Sequence, residues 1–164
     1  MTWKELFLIF LPVSLITFFL KAFVSSFFLF YPGDILFALA IATISLVNFN
    51  LPSILFLMFL GLLRGIDTIR LEPLWMFFFV VCLYSWGYTK RFFSFRETKN
   101  RLYAWLGYCL IYGVLQLFIY FSFLESSLGF RDYFIIFIKW AWLLFTTYLW
   151  ILLLYKVLKH VFQT

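Results

Sequence analysis

Long apolar runs broken by short polar punctuation organise this chain. The first run goes from Leu6 to Leu20, and beyond Lys21 more Phe and Val continue it toward Tyr31. A membrane-crossing helix needs about 20 mostly apolar residues, so this run is long enough, with Lys21 snorkelling at the far interface. Tyr31-Pro32-Gly33-Asp34 reads as a turn, with Asp34 placed to cap the following helix. Two shorter runs follow, Ile35 to Val47 and Leu51 to Leu63, parted by Asn48-Phe49-Asn50 with Pro52 just inside the second. This punctuation predicts two short helices, because a polar trio at mid-bilayer would have to face protein or water. The alternative is one long kinked helix, Ile35 to Leu63.

A charged stretch with balanced signs comes next: Arg64, Asp67, Arg70 and Glu72. Pro73 opens a helix expected to run to about Tyr88. Lys90, Arg91, Arg96, Lys99 and Arg101 then face the single acid Glu97. Basic residues collect in cytoplasmic loops, so 90–101 is expected to be a cytoplasmic loop. Leu102 to Leu124 forms another span. After a loop with no positive excess, the last span runs from Tyr133 to about Leu154, ending in Lys156, Lys159 and His160. Two crossings separate the basic loop from the C-terminus, so both lie on the same side. The expected fold is all-α: one integral membrane domain, residues 1–164, a polytopic transmembrane bundle of about six helices. The single kinked helix would make it five and put Met1 outside.

Composition explains why lipid is the medium. Of 164 residues 66% are hydrophobic and 12% charged, with a mean hydropathy of +1.04. A soluble domain carries about 25% charged residues, and a small one still exposes much apolar surface. The net charge of +6 speaks to topology, and no basic patch on a soluble face suggests nucleic acid. The first run lacks an A-x-A-like cleavage site and reads as a permanent helix.

Catalytic chemistry is not expected. Cys82 and Cys109 each lie in an apolar run without a second Cys or a His at metal-ligand spacing, so zinc, haem and redox readings fail and no cofactor is implied. The acids lie at turns and helix ends, so no paired intramembrane carboxylates arise. Asp34 reads as a cap before it reads as a site. Arg64 and Asp67, at a helix end, suit an interfacial ion pair or a contact with a partner. Lys139, about two turns into the last span, either faces the bundle interior or snorkels back toward Asp132. Gly61 and Gly65 form a G-x-x-x-G pair, which lets two helices approach closely, within the chain or between copies.

Gly33-Asp34-Ile35-Leu36, an apolar run and Leu51-Pro52, then Gly61, Gly65, Asp67 and Pro73-Leu74, and finally Lys90-Arg91-Phe92-Phe93, follow one another in an order that resembles the MreD family of bacterial rod shape-determining proteins. The resemblance covers roughly residues 33–93. Gly33 stands where the family has Pro, Asp67 falls about two residues early, Arg64 interrupts the apolar turn, and Trp75 replaces a Gly. The resemblance implies a non-enzymatic subunit of the elongation complex in the bacterial cytoplasmic (inner) membrane. It would bind an MreC-like protein and couple MreB filaments to peptidoglycan synthesis by RodA and a class B penicillin-binding protein. It also implies a fold like the substrate-binding subunits of energy-coupling-factor transporters.

Three functions follow as expectations. The first is a membrane scaffold that holds partners by helix packing and offers the basic segment, with Lys90, Arg91, Arg96, Lys99 and Arg101, to anionic lipid or an acidic partner. The second is a transporter's substrate-binding subunit, with an outward pocket built from residues such as Asp34, Arg70, Glu72, Glu125 and Arg131. The third is an accessory subunit of another large membrane complex.

Overall fold

The computed structural model describes residues 1–27, 33–66, 72–92, 98–122 and 130–163. Within these the chain forms a bundle of six helices with no strand. Helix α1 joins three continuous segments, Trp3–Glu5, Leu6–Phe10 and Leu11–Phe27. It is followed by α2 (Ile35–Leu46), α3 (Leu51–Ile66), α4 (Glu72–Phe92), α5 (Thr98–Ser122) and α6 (Phe130–Gln163). Among the described residues, three stretches are long and apolar enough to cross a membrane: Trp3–Phe23, Lys99–Ser122 and Arg131–His160.

Local chemistry sets the helix ends. α1 begins at Trp3 rather than Leu6 because Thr2 and Glu5 close a capping box: the Glu5 N–H donates to Thr2 Oγ1 (3.3 Å) and the Thr2 N–H to Glu5 Oε2 (2.7 Å). The middle of this first stretch, Leu6–Phe10, is a π-helical turn, and the Leu11 N–H reaches back to the Leu6 carbonyl. Pro12 lies directly beyond it. Its ring has no N–H to give Leu8 and crowds that carbonyl, so a locally widened turn relieves the conflict. Asn50 closes the start of α3 by accepting the Ser53 N–H (3.1 Å), while its amide donates to the Met1 carbonyl (2.7 Å). The Asn48-Phe49-Asn50 segment therefore divides two helices, as the sequence predicts.

The bundle is built inside out. On α1, Leu6, Phe10, Ser14, Thr17 and Lys21 are buried, a single stripe at helical spacing that carries the helix's polar groups inward. Phe7, Ile16, Phe19 and Phe23 point outward and are exposed. On α6 the same holds: Thr147 is buried, while Phe134, Phe137, Phe145 and Leu149 are exposed. Water would penalise that arrangement, whereas hydrocarbon favours it. The fold is a membrane bundle.

Helix α2 sits at the centre, with every residue from Ile35 to Ile44 buried. Its sequence ILFALAIATI is apolar all round, and such a helix has no face to give to solvent or lipid. At about 18 Å it is too short for a hydrocarbon core of about 30 Å. Gly61 and Gly65 form the seam between α3 and α4: a Cβ on Gly61 would meet the Met76 backbone at 2.5 Å, and one on Gly65 would collide with the Glu72 backbone. The glycine pair is thus used within the chain.

Three sequence boundaries move. α4 continues through Lys90 to Phe92 and α5 begins at Thr98, so only 93–97 separate them and the basic segment is largely helical. α6 extends to Gln163, which places Lys156, Lys159 and His160 on a helix. Lys21 is buried at 4% exposure rather than snorkelling at an interface.

Candidate functional site

Gly33 and Asp34, directly before α2, create the site. Gly33 has φ +87°, and a Cβ there would lie 2.8 Å from Thr146 Oγ1 and from the Thr147 nitrogen. Only glycine meets both demands. A proline, with φ held near about −65°, could not take this conformation. The close approach lets the Asp34 N–H donate to Thr147 Oγ1 (2.8 Å), which ties the start of α2 to α6. Asp34 Oδ1 then caps α2 by accepting the Phe37 N–H (3.0 Å).

The other carboxylate oxygen does different work. Asp34 Oδ2 is ion-paired with Arg64 Nε and accepts the Tyr112 hydroxyl. Arg64 Nη2 also donates to the Tyr112 oxygen (3.1 Å), and Gln116 Nε2 donates to the same oxygen (2.8 Å). Arg64 lies over the Trp75 ring at 5.2 Å, and Tyr112 stacks on Phe37 with centroids 4.0 Å apart. Lys21, from α1, is near enough for its charge to act on Asp34. All six helices therefore contribute: Lys21, Asp34, Arg64, Trp75, Tyr112 with Gln116, and Thr147.

Depth and burial define what this centre can do. Thr147 lies about 25 Å along α6 from its start, close to the middle of the helix. Asp34 and Tyr112 have no exposure and Arg64 has 3%. A charge at such depth is tolerated only when paired and hydrogen-bonded, and removing one partner of a buried pair costs about 3–5 kcal/mol. The centre is a lock between helices that lie far apart in sequence.

Beside the lock, a cavity of about 410 Å³ opens between α5 and α6. Arg64, Gln116 and Lys139 supply its polar wall, and Leu117, Ile136 and Leu143 part of its apolar wall. No carboxylate lines it among the described residues. A second cavity, of about 470 Å³, lies between α4 and α5 with Ser85, Thr89, Asn100 and Tyr108 on its wall.

At one end of the bundle exposed cations gather. Arg101 donates to the Tyr155 hydroxyl (2.5 Å), and Trp105 Nε1 donates to Ser45 Oγ (2.8 Å). These contacts bring together the start of α5 and the ends of α2 and α6. Ser85 and Tyr108 share a hydrogen bond (2.8 Å) that draws the end of α4 to the same place. Lys90, Lys99, Lys156, Lys159 and His160 are exposed on these helix ends.

The sequence candidates divide accordingly. Asp34 and Arg64 meet each other inside the bundle rather than a partner or lipid at its surface, because the turn at Gly33 and the end of α3 converge on Tyr112. Arg101 is likewise drawn into the fold, with its guanidinium 5.4 Å from the Trp105 ring and 4.5 Å from that of Tyr155. Lys90 and Lys99 are exposed. Asp67 and Arg96 lie outside the described residues, as does the side chain of Arg91. Of the proposed outward pocket, Arg70 and Glu125 lie outside the described residues, Asp34 is buried and Arg131 is exposed. Lys139 turns to the cavity beside Arg64.

Tyr112, Gln116 and Thr147 are not singled out by the sequence reading. An amide in the middle of an apolar span, as at Gln116, is the signal that points to them. No family model, curated protein or solved structure matches the chain.

Proposed function

We propose that this protein is a non-enzymatic scaffold subunit of a membrane complex, of the kind that couples a bacterial cytoskeleton to peptidoglycan synthesis and so sets cell shape. The observation that carries the reading is the division of charge. The interior charges Asp34, Arg64 and Lys21 surround one lock, while exposed Lys90, Lys99, Lys156 and Lys159 share one end of the bundle. Basic ends face the cytoplasm, so this end would lie against anionic lipid and cytoplasmic partners. The apolar outer faces of α1 and α6 offer helix-packing surface to integral partners, an MreC-like protein, RodA and a class B penicillin-binding protein among them. The order of Gly33-Asp34, Gly61, Gly65 and Pro73 along the chain supports this assignment to the bacterial inner membrane, with MreB on the cytoplasmic side.

A second reading, a substrate-binding subunit of a transporter, draws support from the cavity of about 410 Å³ beside Arg64. Its volume lies within the range of about 300–1,000 Å³ usual for small-molecule sites.

Charge reversal of Lys90 and Lys99 tests the scaffold. Both side chains are exposed, so the variant should fold and accumulate normally while recovering less of its partners in affinity purification from native membranes. Equal recovery at equal abundance would count against it. Arg101 is left unchanged in this experiment, since its guanidinium belongs to the fold.

A further inference from the structure

We infer that the cavity between α5 and α6 binds an anionic amphiphile, a phosphate or carboxylate headgroup with an apolar chain. The inference does not depend on the scaffold reading.

Three observations carry it. The polar wall carries two cations, the Arg64 guanidinium and the Lys139 ammonium, beside the Gln116 amide, whose Nε2 donates to Tyr112, and there is no carboxylate among the described lining residues. Asp34 offsets Arg64 through the buried ion pair, so Lys139 adds positive charge to the wall. The pocket thus favours a negative group, and more strongly than an exposed site would because Arg64 is held in place from behind by Asp34 and Tyr112.

The mouth decides what kind of anion enters. Tyr120 and Ile135 line the cavity and are themselves exposed, and Phe118, Phe134 and Ile138 nearby on the same two helices are exposed as well. An opening framed by such residues in a membrane bundle faces hydrocarbon, not water. A ligand entering from that side brings an apolar chain, which Leu117, Ile136 and Leu143 would contact while the headgroup meets Lys139 and Arg64. At about 410 Å³ the cavity is too small for a two-chain lipid, so it would take a headgroup and the first part of one chain while the rest stays in the bilayer.

The experiment uses the full-length protein in nanodiscs of equal parts phosphatidylglycerol and phosphatidylcholine, released into detergent and examined by native mass spectrometry. The wild type should retain phosphatidylglycerol selectively. Lys139→Gln should weaken that retention about tenfold, since a charge-assisted contact is lost. Ile136→Trp, which fills the apolar wall, should abolish it. Lys139 is exposed, so its variant keeps the fold and keeps the test decisive should Ile136→Trp misfold. Octyl phosphate should displace the bound lipid at concentrations where inorganic phosphate does not. Equal retention of the two lipids, or retention unaffected by Lys139→Gln, would overturn the inference. Displacement by inorganic phosphate as effective as that by octyl phosphate would overturn the amphiphile.

Discussion

Replacing Asp34 by asparagine separates the charge of the central carboxylate from its shape. Asparagine caps helices as well as aspartate does, so the Oδ1 bond to the Phe37 N–H survives. The Thr147 bond uses the main-chain N–H and survives too. What changes is Oδ2, an acceptor replaced by an amide nitrogen whose hydrogens point toward the Arg64 guanidinium and the Tyr112 hydroxyl. Arg64, 3% exposed, loses the carboxylate paired with its Nε and stays a buried cation, with Lys21 close to the same position. Breaking a buried pair from one side costs about 3–5 kcal/mol, or about 6–20 °C of melting temperature for a chain of this size. Tryptophan fluorescence during heating in detergent reads this directly, with seven tryptophans as reporters. Asp34→Asn combined with Arg64→Met removes the buried guanidinium and should regain at least about half of the loss. If Asp34→Asn melts within about 1 °C of the wild type, or the double variant is no better than the single, the lock does not hold the fold.

The remaining expectations concern packing and access. Gly61→Ala and Gly65→Ala should lower the melting temperature by several degrees because the new Cβ meets the backbone of α4, whereas Gly107→Ala, with open space around it, should be neutral or slightly stabilising. Arg101→Lys should destabilise the bundle nearly as much as Arg101→Ala, by about 1–2 kcal/mol, since an ammonium cannot reproduce a planar contact with both Trp105 and Tyr155. Restoration of full stability by lysine would show that charge alone acts there. Cys82 and Cys109 are buried free thiols and should resist maleimide in the folded protein, then both react after denaturation in dodecyl sulfate. Prompt labelling of either in the folded state would contradict its burial.

The helices were legible because their ends are written locally. Asn50 caps α3 from three residues away, Asp34 caps α2 likewise, and the all-round apolar ILFALAIATI stretch can only be a helix inside protein or lipid. The centre was not legible in the same way. Asp34 pairs with a residue 30 positions on and accepts from one 78 positions on, and hydrophobic periodicity says which way a side chain faces on its own helix, never whom it meets. Lys21 shows the consequence. By its place near the end of an apolar run it should snorkel, yet a carboxylate supplied by α2 makes the interior the better site. The bound of the basic loop moved for a related reason: Lys99 and Arg101 are good helix formers, and Arg101 finds aromatic rings on α5 and α6 that reward the added turn.

Site-directed spin labelling in liposomes puts the inside-out bundle to the most direct test. Labels at Ile16, Val114 and Phe137, which all point outward, should collide freely with oxygen and hardly at all with a water-soluble nickel chelate, while a label at Lys99 should show the reverse. Nickel access at those three positions equal to that at Lys99 would mean that water, not lipid, surrounds the helices.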